Sequence, residues 1–325
     1  MRRATILVLL ILLLAGGALA AEAKKTETQT VPLPRGSQLT IRIDDGNLSL
    51  TTWEREEAEI QITRRVWARS RREAERRLES IEVEIRRRRG EVEMVVFDRE
   101  GGRHGSFWDL FNPEAWREGY GAWVEVELRV PEGTALWVEG NDLDVQLGGR
   151  LGKVTVRLDD GDIDVRDLEA ASLLLDTDDG EVNLYRVNLP QGRASVATDD
   201  GRIRVEECRI GQMDAETGDA DVAILRCDAE KLSVRTASGD VELEPDLNSL
   251  ARLRVDTEDG DVVLALPPHV DAELEIETDT GRIRSELDLP VERAEEGARI
   301  QARLGSGRAR ITIFTEDGDV ILERR

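Results

Sequence analysis

The chain has 325 residues, a formal charge of −23, two cysteines and two histidines. Such an acidic excess repels nucleic acid and anionic lipid, and two histidines far apart, His104 and His269, leave little for proton shuttling or transition-metal ligation. Charged residues reach 35%, yet apolar residues reach 40% and alternate strictly, which predicts a folded chain rather than disorder.

The opening MRRATILVLLILLLAGGALAAEA reads as a secretory signal peptide over residues 1–20. Arg2 and Arg3 supply the basic region, residues 6–14 the apolar core, and Ala18-Leu19-Ala20 the small-residue site. Cleavage falls after Ala20 or Ala23, with an uncleaved anchor as the alternative. No Cys follows the apolar run, which excludes a lipoprotein. No later stretch could cross a bilayer, so no transmembrane segment is expected after cleavage. The expected location is the periplasm or the cell surface.

Residues 21–63 read as a linker and a first β coil. LTIRIDDGNLSL places Ile41 and Ile43 before a DDG corner at Gly46, with Leu48 and Leu50 after it. Residues 64–130 read as a capping element, a helix with a small sheet. SRREAERRLESI begins with Ser70 and has Glu73 three residues on, a capping-box spacing. Ala74, Leu78 and Ile81 follow at helical spacing. Strands at 83–85 and 92–97 flank a turn at Arg89-Gly90, and a strand over 123–130 ends at Pro131.

Eleven arginines lie between Arg64 and Arg89, against five glutamates. They form either a solvated helix face with pairs such as Glu73–Arg77, the favoured reading, or a basic patch for phosphate-bearing polymers. The aromatics Phe107, Trp108, Phe111, Trp116, Tyr120 and Trp123 cluster next. They plug an open solenoid end, or Phe107, Trp108, Phe111, Trp116 and Tyr120 contact a partner.

From residue 131 to the C-terminus one phrase returns: alternating apolar residues, Thr, two mostly acidic residues, Gly, then a second alternating run. Its glycines are Gly161, Gly180, Gly201, Gly218, Gly239, Gly260 and Gly281, spaced 19, 21, 17, 21, 21 and 21 apart, with a last copy at Gly318. A fixed period declares a stack of equivalent units, and period-2 alternation declares strands. The expected fold is therefore mainly β, a parallel β-solenoid of coils about 20 residues long. An antiparallel meander of hairpins is the rival, disfavoured because each unit carries a second loop of variable length.

At the acidic corners Gly supplies positive φ without a Cβ penalty. Thr177, Thr198, Thr236, Thr257, Thr278 and Thr315 precede their glycines by three and should form a hydroxyl ladder, with Leu158 and Ala215 as replacements. Cys208 and Cys227 occupy one column of adjacent coils. They form either a disulfide or two small buried hydrophobes.

The acidic corners are the one recurring polar constellation. Asp159, Asp160, Asp178, Asp179, Asp199, Asp200, Asp259 and Asp261 stack into ridges that could hold calcium. Asp and Gly are also the preferred residues of tight corners, and Arg202 and Arg282 interrupt the column. No GxSxG elbow, phosphate-binding glycine loop or zinc spacing occurs. No catalytic residue, cofactor or confident metal site is assigned.

Taken as a set, DDGNLSLTTW, the helix with its strands, VEVELRVPEGTALWVEGNDLDV and the serial T-x-[DS]-G-[DE]-[VI] phrases resemble a bacterial secreted family of candidate adhesins, β-strand repeat proteins of unknown function. The resemblance implies a β-solenoid of the envelope or cell exterior and brings no catalytic residues. The expectation is a non-enzymatic adhesin or binding scaffold whose partner is an envelope or surface polymer or protein. An envelope-polysaccharide enzyme and an envelope-stress accessory protein are the alternatives.

Overall fold

The computed structural model describes residues 7–9, 21–88, 90–99, 121–294 and 296–325. His104 and the aromatics Phe107, Trp108, Phe111, Trp116 and Tyr120 lie outside the described residues, as does the candidate signal segment apart from Leu7–Leu9. The chain divides into two compact units, residues 1–152 and 153–325, and among the described residues one α-helix accompanies many strands.

In the first unit the helix Arg71–Ser80 starts where its capping spacing predicts: the Ser70 hydroxyl accepts from the Glu73 amide at 3.4 Å. Arg71–Glu75 and Arg77–Glu73 pair at i,i+4 on its exposed side. Ala74 and Leu78 turn inward, but Ile81 does not continue that face. It opens the next strand, Ile81–Arg88, fully buried, because a β-branched residue fits a pleated sheet better than a fourth helical turn. That strand and Glu91–Asp98 form the expected hairpin.

Beneath the helix, Ala21–Pro32, Glu57–Ala68 and Gly121–Pro131 make an antiparallel sheet. Arg64 sits on its inward face between Ile62 and Val66, only 6% exposed. A buried guanidinium needs partners. It pairs with Glu27 at 2.9 Å and donates to the Ile81 carbonyl, tying the sheet to the residue that ends the helix. One member of the arginine-rich segment is thus an interior strut.

The DDG coil has parallel neighbours on both faces. Gln38–Ile43 lies between Glu91–Asp98 and residues 135–139, while Asp45–Trp53 lies between Gly121–Pro131 and residues 142–147. The strand Ala135–Arg150, which the sequence reading placed in the repeat domain, thus stacks on the first coil within this unit.

In the second unit, rungs pair parallel and in register along two faces. Before the corner, Lys153–Asp160, Ser172–Thr177 and residues 193–198, 212–217 and 231–236 follow one another, then Arg252–Thr257. After it come Ile163–Glu169, Val182–Tyr185, Ile203–Glu206, residues 222–225, Val241–Pro245 and Val262–Leu266. The alternating apolar residues face inward as the period requires: Val154, Val156, Ile163 and Val165 are 0% exposed, and Leu232, Val234, Val241 and Leu243 are at most 3%.

Two parts of the sequence reading are corrected. Thr217, not Ala215, occupies the threonine column, paired with Thr198 on one side and Thr236 on the other. The corner residue of that rung is therefore Ala220 rather than Gly218, and the apparent 17-residue spacing disappears. The second correction concerns order. The C-terminal rung does not end the stack but is inserted in it: Ala309–Thr315 lies between Arg252–Thr257 and Ala272–Thr278, and Val320–Arg324 lies between Val262–Leu266 and Ile283–Ser285. Every rung offers the same apolar interior, so adjacency in sequence is not required for adjacency in space. Beyond Ala272–Thr278 the pattern turns antiparallel through Gly297–Leu304 and Glu292–Ala294.

A chain truncated after Gly305 loses an internal rung. Hydrogen exchange is expected to show lost protection in 252–266 as well as 272–285; loss confined to 272–304 would show the C-terminal rung to be peripheral.

Candidate functional site: the stacked corners

The corner after each pre-glycine strand is built from four columns. Thr lies innermost, 0–5% exposed from Thr177 to Thr315. Its hydroxyl donates backward to the preceding rung: Thr177 to the Gly161 carbonyl at 3.2 Å, Thr198 to Gly180 at 3.2 Å, Thr315 to Gly260 at 3.2 Å and Thr278 to Gly318 at 2.8 Å. The same oxygen accepts from its own rung's glycine amide at Gly201, Gly239 and Gly281, at 2.9–3.1 Å. One hydroxyl thus satisfies two buried backbone groups. Thr217 donates to the Gly201 carbonyl at 3.3 Å, which confirms its membership.

The corner glycines serve a different purpose from the one the sequence implied. Among them only Gly46 and Gly161 have positive φ. At the others the constraint is contact between rungs: a Cβ on Gly201 would lie 1.8 Å from the Gly180 carbonyl oxygen, and one on Gly318 would lie 1.9 Å from that of Gly260. No side chain fits that approach.

Outside these columns stand the acids. Asp178, Asp179, Asp199, Asp200, Asp219, Glu258, Asp259, Glu316 and Asp317 are all exposed. Backbone bonds from Asp178 to Asp159 and from Asp199 to Asp178, each 2.9 Å, fix their stacking. The ridge is interrupted where Gly218, Ala237 and Ser238 take its places. Repulsion within the column shows at Asp178, whose carboxyl is raised by desolvation and by Asp199 and Asp159.

The column after the glycines is a structural ladder. Asp221 accepts from the Asp240 amide at 3.2 Å, Asp240 from Asp261 at 3.0 Å, Asp261 from Asp319 at 2.8 Å and Asp319 from Arg282 at 2.8 Å. Arg202 fits this column by pairing with Asp221 at 3.3 Å. Asp261, named with the calcium ridge, therefore carries a rung-to-rung bond. Among the described residues no three His, Cys, Asp or Glu side chains converge into a metal site.

A second corner, unread in the sequence, lies at Asp167, Arg186, Glu207 and Arg226, with φ of 52–54°. Its charges alternate in sign up the stack. Arg186 grips Asp167 through two bonds of 2.6 and 2.8 Å, and Arg226 lies 3.5 Å from Glu207. Leu168, Val187, Cys208 and Cys227 follow it as one buried column, which is where the spacing placed the two cysteines.

Among the described residues the most confined acid lies in the first unit. Asp45, at the DDG corner, is 2% exposed, and its Oδ1 has no hydrogen-bond partner. Desolvation, with Asp142 and Asp44 beside it, pushes its carboxyl up to about 7. Burial also raises Asp44 and Asp142. The next residue, Gly46, leaves no room for relief, since a Cβ there would lie 2.0 Å from the Val124 carbonyl oxygen.

A mainly β chain of stacked parallel rungs defines the class, and residues 120–323 match the Toastrack DUF4097 family; the chain belongs to that family. Similar solved structures include a candidate cell adhesion protein from Clostridium sporogenes, 12% identical, covering 93% of this chain and 100% of that one at a TM-score of 0.26. A candidate lipid binding protein from Parabacteroides distasonis is 10% identical, with coverages of 91% and 96% and a TM-score of 0.42. A candidate adhesin from Bacteroides fragilis is 10% identical, with coverages of 93% and 98% and a TM-score of 0.40. Among curated proteins none matches the chain. No helix among the described residues is long and apolar enough to cross a membrane.

Gly201→Ala is expected to lower the unfolding free energy by roughly 3 kcal/mol. Gly218→Ala should cost less, because its added carbon would sit 2.8 Å from the Asp199 carbonyl; urea unfolding compares the two. Asp45 binds its proton more tightly folded than unfolded, so its contribution is complete at acid pH and lost as pH rises from 3.8 through about 7. Asp45→Asn is therefore expected to stabilise the chain at pH 8, with the gain shrinking toward pH 4, read from melting temperature against pH.

Proposed function

We propose that this protein is a non-enzymatic, adhesin-like binding scaffold of the cell surface or envelope, whose working surface is the acidic corner ridge. The observation that carries this reading is the division of labour at each corner. On most rungs Thr, Gly and the residue after Gly are consumed in joining rungs, while the positions between Thr and Gly project exposed carboxylates, with a gap at Ala237-Ser238. Those carboxylates repeat at the rung spacing of about 4.8 Å, a period that a cationic polymer or a basic protein surface can match. Long-range attraction of such partners is the general consequence of a one-sign ridge. Family membership supports a β-repeat scaffold.

The test is binding of the purified chain to envelope fragments by surface plasmon resonance, with salt varied. Asp178→Asn, Asp199→Asn and Asp200→Asn together are expected to weaken binding at least tenfold at low salt and to flatten its salt dependence. Unchanged binding would remove the ridge from the mechanism. Release of glycan fragments from the same material by the unaltered chain would overturn the non-enzymatic reading.

A further inference from the structure

Cys208 and Cys227 are the chain's only cysteines. Glu206 pairs with Leu225 and Arg209 with Asp228, so the two stand one above the other on consecutive rungs. The Asp228 amide donates to the Cys208 carbonyl at 2.8 Å, fixing that register from the backbone. Each cysteine follows a residue of the same left-handed bend, Glu207 at φ 54° and Arg226 at φ 53°, so both side chains leave the backbone alike. They are 2% and 5% exposed, and both thiols are free.

The Cys208 thiol donates to the Glu206 carbonyl at 3.2 Å and the Cys227 thiol to the Leu225 carbonyl at 3.3 Å, and the neighbouring Cys208 thiol, with burial, holds the Cys227 thiol above its usual range. Neighbouring Cα atoms in parallel strands lie about 4.8 Å apart, inside the roughly 4.4–6.8 Å window that disulfides span.

We propose that Cys208 and Cys227 are an inter-rung disulfide site, closed by exchange with the disulfide of a thiol oxidant. One cysteine thiolate attacks a sulfur of the oxidant's disulfide, forming a mixed disulfide and releasing one oxidant thiolate. The second cysteine thiolate then attacks the protein sulfur of that mixed disulfide and releases the other. Two protons leave the cysteines, and two electrons pass to the oxidant, which becomes a dithiol. Both sulfurs are buried once the rungs have closed, so exchange precedes completion of the stack. The product clamps two rungs at the second corner, on the side of the coil that has no threonine ladder. The geometry stands by itself; only the oxidising compartment rests on the surface or envelope reading.

The full chain is refolded with glutathione disulfide, denatured, alkylated with iodoacetamide and weighed intact. The expected result is a chain two hydrogens lighter that takes up no label, whereas Cys227→Ala takes up one. Two labels on the refolded chain overturn the proposal. The same labelling is applied to the chain recovered from the envelope of a secreting bacterium, with its N-terminus sequenced. Free thiols on a chain lacking its first 20 or 23 residues also overturn it. A chain retaining those residues counts against export alone, and the refolding result then decides the disulfide.

Discussion

The fold depends on one close approach, the corner glycine of most rungs lying directly against the corner carbonyl of the rung before it. At Gly180, Gly201, Gly260, Gly281 and Gly318 an added carbon would fall within 2.1 Å of that oxygen. Parallel pairing sets the strands about 4.8 Å apart, and a chain bending at the same residue on every rung must bring its bends equally close. The threonine hydroxyl makes this tolerable, because it bonds the carbonyl that the glycine approaches. A net hydrogen bond contributes only about 1 kcal/mol, but an unsatisfied buried carbonyl costs more. The ladder's chief effect is therefore to avoid a penalty on most rungs; the Leu158 rung and the Thr257 rung, whose buried hydroxyl makes no hydrogen bond, do without it.

This division explains what the sequence disclosed and what it concealed. The alternation, the corners, the stacked cysteines and the capped helix were legible because each rests on local periodicity or spacing. The rung at Thr217 was misread because AETGDAD offers a glycine in the wrong place. A better guide is the offset from Thr to the next inward residue. Thr177 to Val182, Thr198 to Ile203, Thr217 to Val222, Thr236 to Val241 and Thr315 to Val320 are all five apart. Hydroxyl position is held by the bond it makes, whereas the corner glycine gives way to Ala220 on this one rung.

The second corner escaped notice for the opposite reason. It needs positive φ but has open space around its side chains, so Asp, Arg, Glu and Arg occupy it in place of glycine. Left-handed backbone in such residues costs about 1–2 kcal/mol each. The exposed ion pairs between them are worth less than that, so the stack's backbone bonds must supply the rest. Arg186 to Glu206 at 3.1 Å and Glu207 to Leu225 at 3.2 Å are two of these. Alternating sign still matters, since four like charges in that column would repel at every step. The acidic ridge at the first corner lacks this alternation, and there desolvation first, then the like charges of Asp199 and Asp159, raise the Asp178 carboxyl.

Rung order follows from the same equivalence that builds the stack. Because Val255, Ile313 and Ile276 present nearly the same inward surface, packing alone does not decide which follows which. The chain between Ile283–Ser285 and Ala309–Thr315 decides it. Its strand Gly297–Leu304 alternates without a corner phrase and pairs antiparallel with Ala272–Thr278, so the C-terminal segment has to return on that strand's other side. An open parallel edge is a template for further strands. Ending the pre-corner face with an antiparallel hairpin breaks the register that another identical rung would need. Growth of the stack by a further identical rung is therefore disfavoured at that edge.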